Sequence, residues 1–124
     1  MPRKKSQGLT DAELRLMEVL WGKDRATVAE VVEALPQDVP LAYSSVLTTL
    51  RILENKGYLK HRKEGRAFIY RPVVDRERVR EKAVTRLLQR FFGGSPEQLM
   101  LSLVERRKLN PEQLKRLRKR IEEE

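Results

Sequence analysis

Hydrophobic and polar positions alternate with two different periods along this chain, and the changes of period mark out its elements. From Thr10 to Trp21 the apolar residues Leu14, Met17, Val19, Leu20 and Trp21 fall at helical spacing and predict a first helix with these residues buried. Thr10-Asp11-Ala12-Glu13 forms a capping box at its start, Leu9 and Leu14 are placed as a hydrophobic staple, and Gly22 marks its end. A second capping box, Thr27-Val28-Ala29-Glu30, opens a shorter helix with Val28, Val31, Val32 and Leu35 as its stripe, stopping before Pro36. Arg25-Ala26 just upstream suits a short strand. Pro36 to Leu41 is a loop, longer than the tight turn of the simplest helix-turn-helix proteins.

The third helix, Ala42 to Lys56, organises what surrounds it. At about 100° per residue, Val46, Leu50 and Leu53 share a buried face flanked by Tyr43 and Leu47. Ser44, Thr48, Arg51 and Asn55 fall opposite, a stripe of short hydrogen-bonding side chains and one guanidinium, of the kind a recognition helix offers to base edges in the major groove. Ile52 lies near that polar side without a place in either set. Past Gly57 the period becomes two. Tyr58 to Lys63 and Ala67 to Arg71 read as paired strands around Glu64-Gly65-Arg66, with Leu59, Phe68 and Tyr70 inward and Gly65 supplying the positive φ of a tight turn. Lys56, Lys60, Arg62, Lys63, Arg66 and Arg71 stand against the single acid Glu64 in this segment. A helix-turn-helix followed by a basic hairpin is a winged helix, and its hairpin is placed to reach the sugar-phosphate backbone or the minor groove.

Pro72 closes the hairpin, and the domain boundary is expected at Pro72 to Asp75, between a winged-helix domain over 9–72 and a helical domain over 73–124. Residues 1–8, with Arg3, Lys4 and Lys5, read as a disordered basic arm. Val79, Ala83, Leu87 and Arg90 share one side of a first tail helix, with Val84, Leu88 and Phe91 beside them, until Gly93-Gly94 breaks it. Ser95-Pro96-Glu97-Gln98-Leu99 and Asn110-Pro111-Glu112-Gln113-Leu114 are near-repeated helix starts, each with a cap residue and proline at the first helical position. Glu122, Glu123 and Glu124 oppose the last helix's dipole and are expected to fray its end. Three short helices without disulfides bury little surface alone. Val84, Leu87, Leu88, Phe91, Phe92, Leu99, Leu103, Leu114, Leu117 and Ile121 are therefore expected to form a homodimer interface, the alternative being that the tail folds back on its own first domain. The fold class expected is mainly α with a small β-wing.

Composition narrows the chemistry. The 124 residues are 40% hydrophobic and 36% charged, with a net charge of +9 and a pI near 10.2, which favours a polyanionic partner. Cysteine is absent, which excludes disulfides, thiol nucleophiles and thiolate metal sites. The sole histidine, His61, alternates between Lys60 and Arg62 and reads as an exposed or phosphate-facing residue. Aspartates are scattered singly and the glycines form no phosphate loop, so neither an enzyme nor a metal or cofactor site is expected. No apolar run is long enough to cross a bilayer and the basic N-terminus has no secretory h-region, so a cytoplasmic protein without membrane insertion is expected. The expected mechanism places Ser44, Ser45 and Thr48 on base edges or thymine methyls, with Arg51, Lys60, Arg62, Lys63 and Arg66 on phosphates. A winged-helix module that binds another protein is the competing class; the charge ratio around the hairpin favours DNA.

Three segments, in this order and spacing, carry a family likeness. They are Leu9-Thr10-Asp11-Ala12-Glu13 leading to Val19-Leu20-Trp21; Tyr43-Ser44-Ser45-Val46 with Thr48, Leu50, Leu53 and Lys56-Gly57; and Lys63-Glu64-Gly65-Arg66-Ala67-Phe68 with Tyr70. Together they resemble the penicillinase-repressor family, the group of the β-lactamase and methicillin-resistance repressors (BlaI/MecI) and the copper-responsive repressor CopY, over roughly Leu9 to Ile121. The resemblance implies a dimeric repressor on palindromic operators, serving β-lactam-resistance-like or other stress genes. It implies base contacts from Tyr43, Ser44, Ser45 and Thr48, a wing spanning Lys63 to Arg66 with Gly65 at its turn, and dimerisation through the tail. It also implies release through a membrane sensor protease or an antirepressor, with tail cleavage near Ser102 and Leu103. Those two residues stand where the cleaved members carry Asn and Phe, and the cysteine pairs of the copper-responsive members are absent here.

Overall fold

The computed structural model describes residues 8–38 and 41–123; the basic triplet of the N-terminal arm lies outside them. The elements run α1 (Asp11–Lys23), β1 (Ala26–Thr27), α2 (Val28–Ala34), α3 (Tyr43–Asn55), β2 (Leu59–Glu64), β3 (Ala67–Pro72), α4 (Arg76–Phe91), α5 (Pro96–Glu105) and α6 (Pro111–Glu123). The chain divides into two compact units, Met1–Arg80 and Glu81–Glu124.

The first unit is a three-helix cluster closed by a sheet of order β1-β3-β2, all antiparallel. Both expected capping boxes form. Thr10 Oγ1 accepts from Glu13 N while Glu13 Oε1 accepts from Thr10 N, and Thr27 and Glu30 do the same at α2. The core is Leu16, Met17 and Leu20 of α1, Val28, Val31 and Leu35 around α2, Val46, Leu50 and Leu53 of α3, and Ala26, Leu59 and Tyr70 of the sheet.

Three expectations need correcting. The buried stripe of α1 is Glu13, Leu16, Met17 and Leu20, an i, i+3, i+4, i+7 set, so Leu16 is in the core while Leu14 is 40% exposed. The helix also runs one residue past Gly22, ending at Lys23, where Asp24 takes a positive φ of 73° and its N–H reaches Leu20 O at 2.7 Å. Phe68 lies on the same side of the sheet as Tyr70 but is 37% exposed, its ring meeting that of His61 at 5.1 Å. Ile52, unplaced by periodicity, is exposed on α3.

The first unit extends past the expected boundary at Pro72 to Asp75 because Trp21 holds the segment that follows. Trp21 Nε1 donates to Val74 O at 2.9 Å, the Arg76 guanidinium lies 5.4 Å over the indole, and Arg76 also pairs with Glu18 at 2.9 Å.

In the second unit Gly93 and Gly94, both at positive φ, end the helix that precedes them, with Gly94 N bonded to Leu88 O at 2.8 Å. Asn110 and Gln113 form a complete reciprocal cap at α6, whereas at α5 the Ser95 side chain accepts from Gln98 N as the one cap bond found. No residue of α5 or α6 is buried.

Candidate nucleic-acid interface

The third helix presents two faces, as its periodicity requires. Val46, Leu50 and Leu53 are fully buried, while Ser44, Ser45, Thr48, Arg51 and Asn55 are exposed in a continuous stripe. Tyr43, expected to flank the buried side, is 55% exposed at the first turn. Thr49 donates to Ser45 O at 2.8 Å, a local bond that leaves the Ser45 hydroxyl uncommitted.

The N-terminus of α3 is unlike those of α1 and α2. Its N-cap is Ala42, which offers no side-chain bond, and its first turn carries no acid. The first amide N–H groups of a helix lack intrahelical partners and carry partial positive charge. Among the described residues no side chain caps them, and three exposed hydroxyl groups stand beside them, an arrangement suited to a phosphate oxygen. The signal lies in the sequence, since no Ser, Thr, Asp or Asn immediately precedes Tyr43, but a missing cap is quieter than the two capping boxes upstream.

Two contacts tie this helix to its neighbours. At its C-terminus Lys56 Nζ donates to both carboxylate oxygens of Glu13, at 2.7 and 2.8 Å. Burial pushes the Glu13 carboxyl up, but the Lys56 ammonium and the Thr10 hydrogen bonds outweigh it and hold the group below its ordinary value. Nearby, His61 Nδ1 of β2 lies 2.6 and 2.8 Å from the two Glu54 oxygens of α3. The His61 ring meets Phe68 edge-on at 5.1 Å and lies tilted on Tyr70 at 5.2 Å. Tyr70 titrates above its ordinary value, because of burial first and the Glu54 charge second, with Arg51 opposing. Of the two readings of His61, exposed or phosphate-facing, the structure agrees with the first: the residue is exposed, and its ring nitrogen is engaged by Glu54 of α3.

The hairpin register explains this and divides the wing cations. Leu59 pairs with Pro72, His61 with Tyr70 and Lys63 with Phe68, so these six share the side of the sheet that carries the core and α3. Lys60, Arg62 and Glu64 lie on the opposite side, with Arg71 and Ile69. Arg62 is bonded to Glu64 at 2.7 Å there and shares a hollow of about 220 Å³ with Asp24, Arg25, Ile69, Arg71 and Pro72. Lys63 is the wing cation on the α3 side, and Arg66 is exposed in the turn at the tip; Gly65 has the positive φ, 60°, that the two-residue turn requires. The wing cations thus do not form one surface.

In the second unit Val84, Leu87, Phe91, Leu117 and Ile121 are exposed, Phe91 at 66% and Ile121 at 74%. Leu88, Phe92, Leu99, Leu103 and Leu114 are half-buried. Ser102 and Leu103 sit on helical backbone in α5, their carbonyls accepting from Arg106 N at 3.1 Å and Lys108 N at 2.8 Å. Among the described residues no cluster of acids and histidine could hold a metal, and no helix is long and apolar enough to cross a membrane.

Comparison with known proteins agrees with this fold. The family model for the penicillinase repressor matches residues 9–123. The penicillinase repressor of Bacillus licheniformis is 32% identical over 120 residues, covering 97% of this chain and 94% of the relative. The transcriptional regulator BlaI of Mycobacterium tuberculosis is 36% identical over 100 residues, 79% of this chain and 72% of that protein. The solution structure of the DNA-binding domain of the repressor BlaI superposes with a TM-score of 0.52 and 36% identity, over 60% of this chain and 90% of that domain. With the family pattern running from the first capping box to the end of α6, the chain belongs to the penicillinase-repressor family.

Proposed function

We infer that this protein is a sequence-specific DNA-binding transcriptional repressor. The observation that carries it is the exposed hydroxyl stripe of α3, opening on an uncapped helix N-terminus and set beside a basic wing. Tyr43, Ser44, Ser45 and Thr48 enter the major groove and read base edges, and Arg51, Lys63 and Arg66 neutralise phosphates on either side. Lys60 and Arg62, on the far side of the hairpin, contribute to the long-range field rather than to contacts.

The active species is a homodimer joined through the second unit. The exposed Phe91, Leu117 and Ile121 and the absence of buried residues from α5 and α6 support a partner copy covering them. Two recognition helices then meet a palindromic operator whose half-sites are separated by about one helical turn or a multiple of it. Occupation of the operator blocks polymerase access and so represses transcription.

Gel-shift titration against duplexes selected from a random pool tests this. Arg66→Ala should weaken binding to all duplexes and lower the salt slope by roughly 1 per subunit, leaving sequence preference intact. Thr48→Ala should instead lower discrimination between selected and scrambled duplexes, by roughly 1 kcal/mol per half-site. Equal behaviour of both variants and wild type sinks the docking face.

A further inference from the structure

The wing has strong support at its base and none at its tip. Leu59 and Tyr70 anchor the base in the core, and β1 supports β3 only at Tyr70 and Ile69. Beyond Ile69 the hairpin is a two-stranded ribbon, a form that is marginal in water alone and twists readily. His61 sits opposite Tyr70, at the point where this support ends. It reaches across to Glu54, one helical turn beyond the exposed Arg51 of the recognition stripe.

Resting on the DNA-binding reading above, we propose that His61 is a positioning residue for DNA recognition, fixing through Glu54 the angle between the wing and the recognition helix. Base reading by α3 and phosphate binding by Lys63 and Arg66 must occur on one duplex at once. Gly65 lies four residues beyond His61. That is roughly 13 Å at the rise of a strand. A swing of about 10° about His61 then moves the tip by about 2 Å, enough to break a hydrogen bond to phosphate. The bond to both Glu54 oxygens opposes that swing, and the packing of the ring on Phe68 and Tyr70 holds the imidazole in place to make it. Glu54 itself is an acid beside the DNA-facing stripe, where its charge alone repels phosphates. Its presence there follows from a task that outweighs the repulsion.

That conflict of signs supplies the test, made on the full-length protein by fluorescence anisotropy with a duplex selected from a random pool by the wild type. Glu54→Ala removes the acceptor, His61→Phe keeps the ring and removes the donor, and His61→Asn keeps a donor at the Nδ1 position. The first two are expected to weaken binding about tenfold and to lower the salt slope of the dimer by about 2, because each wing lets go of one phosphate, with discrimination against a scrambled duplex little changed. His61→Asn is expected to recover most of the affinity and the slope. Thermal melts of all three confirm that the first unit remains folded, the side chains of His61 and Glu54 being only partly buried. Tighter binding by Glu54→Ala, or wild-type affinity and slope in His61→Phe, overturns the inference while leaving the repressor reading intact. A wild-type protein with no affinity for any duplex overturns both.

Discussion

Removing the Glu13 carboxylate should cost this domain more than any substitution on its surface. The side chain of Glu13 is 6% exposed and that of Lys56 15%. Glu13 Oε1 receives Lys56 Nζ and Thr10 N together, and Oε2 receives Lys56 Nζ as well. Breaking a buried pair by deleting one partner typically costs about 3–5 kcal/mol, because the remaining charge is left without compensation. Lys56 retains some access to water, so the lower end applies, about 3 kcal/mol. Loss of the bond to Thr10 N adds roughly 0.5 kcal/mol, since the Thr10 hydroxyl still caps residue 13. Glu13→Ala is thus expected to destabilise by about 3–4 kcal/mol, and Lys56→Met, which strands the more deeply buried carboxylate, by about 3–5 kcal/mol. The double variant should fall short of their sum by at least about 1 kcal/mol. Urea titration followed by the fluorescence of Trp21, the sole tryptophan, reports on the first unit directly. The folded carboxyl is held below its ordinary value, so the stability it gives is present above the unfolded carboxylate's pKa, about 4.3, and is lost as pH falls through the lower folded value. The acid limb of the stability profile below about pH 4.3 should accordingly be shallower in Glu13→Gln than in wild type. Costs for the two single variants that add within about 0.5 kcal/mol, or a loss under about 1 kcal/mol for Glu13→Ala, would refute the reasoning and reduce the interaction to a surface pair.

Other consequences are as direct. Leu50→Ala, at a fully buried site on the inner face of α3, should destabilise by about 2–5 kcal/mol in the same titration. Gly65→Val forces a β-branched residue to a φ of 60° and should cost about 1–2 kcal/mol of local stability, read as faster hydrogen exchange in the wing, with weaker DNA binding and an unaltered core. Phe91→Ser together with Ile121→Ser, both on exposed apolar positions of the second unit, should shift sedimentation from dimer towards monomer at micromolar concentration and leave the melting of the first unit unchanged.

What the sequence disclosed was local, and what it concealed was long-range. Capping boxes at Thr10, Thr27 and Asn110, the buried triad of α3 and the turn at Gly65 all depend on residues within a few positions of each other, and each forms as its sequence signal implies. The family likeness, borne by the same segments, is equally legible. The phase of α1 is not: Leu14 and Leu16 are both leucines, and only the packing of the folded unit chooses Leu16. The pairing of Lys56 with Glu13 spans 43 positions and leaves no periodic trace. The partner of His61 is hidden because its neighbours in sequence, Lys60 and Arg62, are its opposites in space; alternation along the strand puts them on the other side of the sheet. The same alternation divides the wing's cations, which a count of basic residues merges into one patch.

The bare start of α3 carries a consequence for how stability and recognition trade against each other. Ala42 leaves the opening turn incomplete in the free protein, and a good cap residue at that position stabilises a helix by about 0.5–2 kcal/mol. Ala42→Asp should therefore harden the unbound fold. The new carboxylate, however, would repel any backbone phosphate approaching those amides. On this view the nucleic acid itself finishes the helix, and a gene under selection for heat tolerance alone would drift towards a sturdier protein that had lost its hold on its operator.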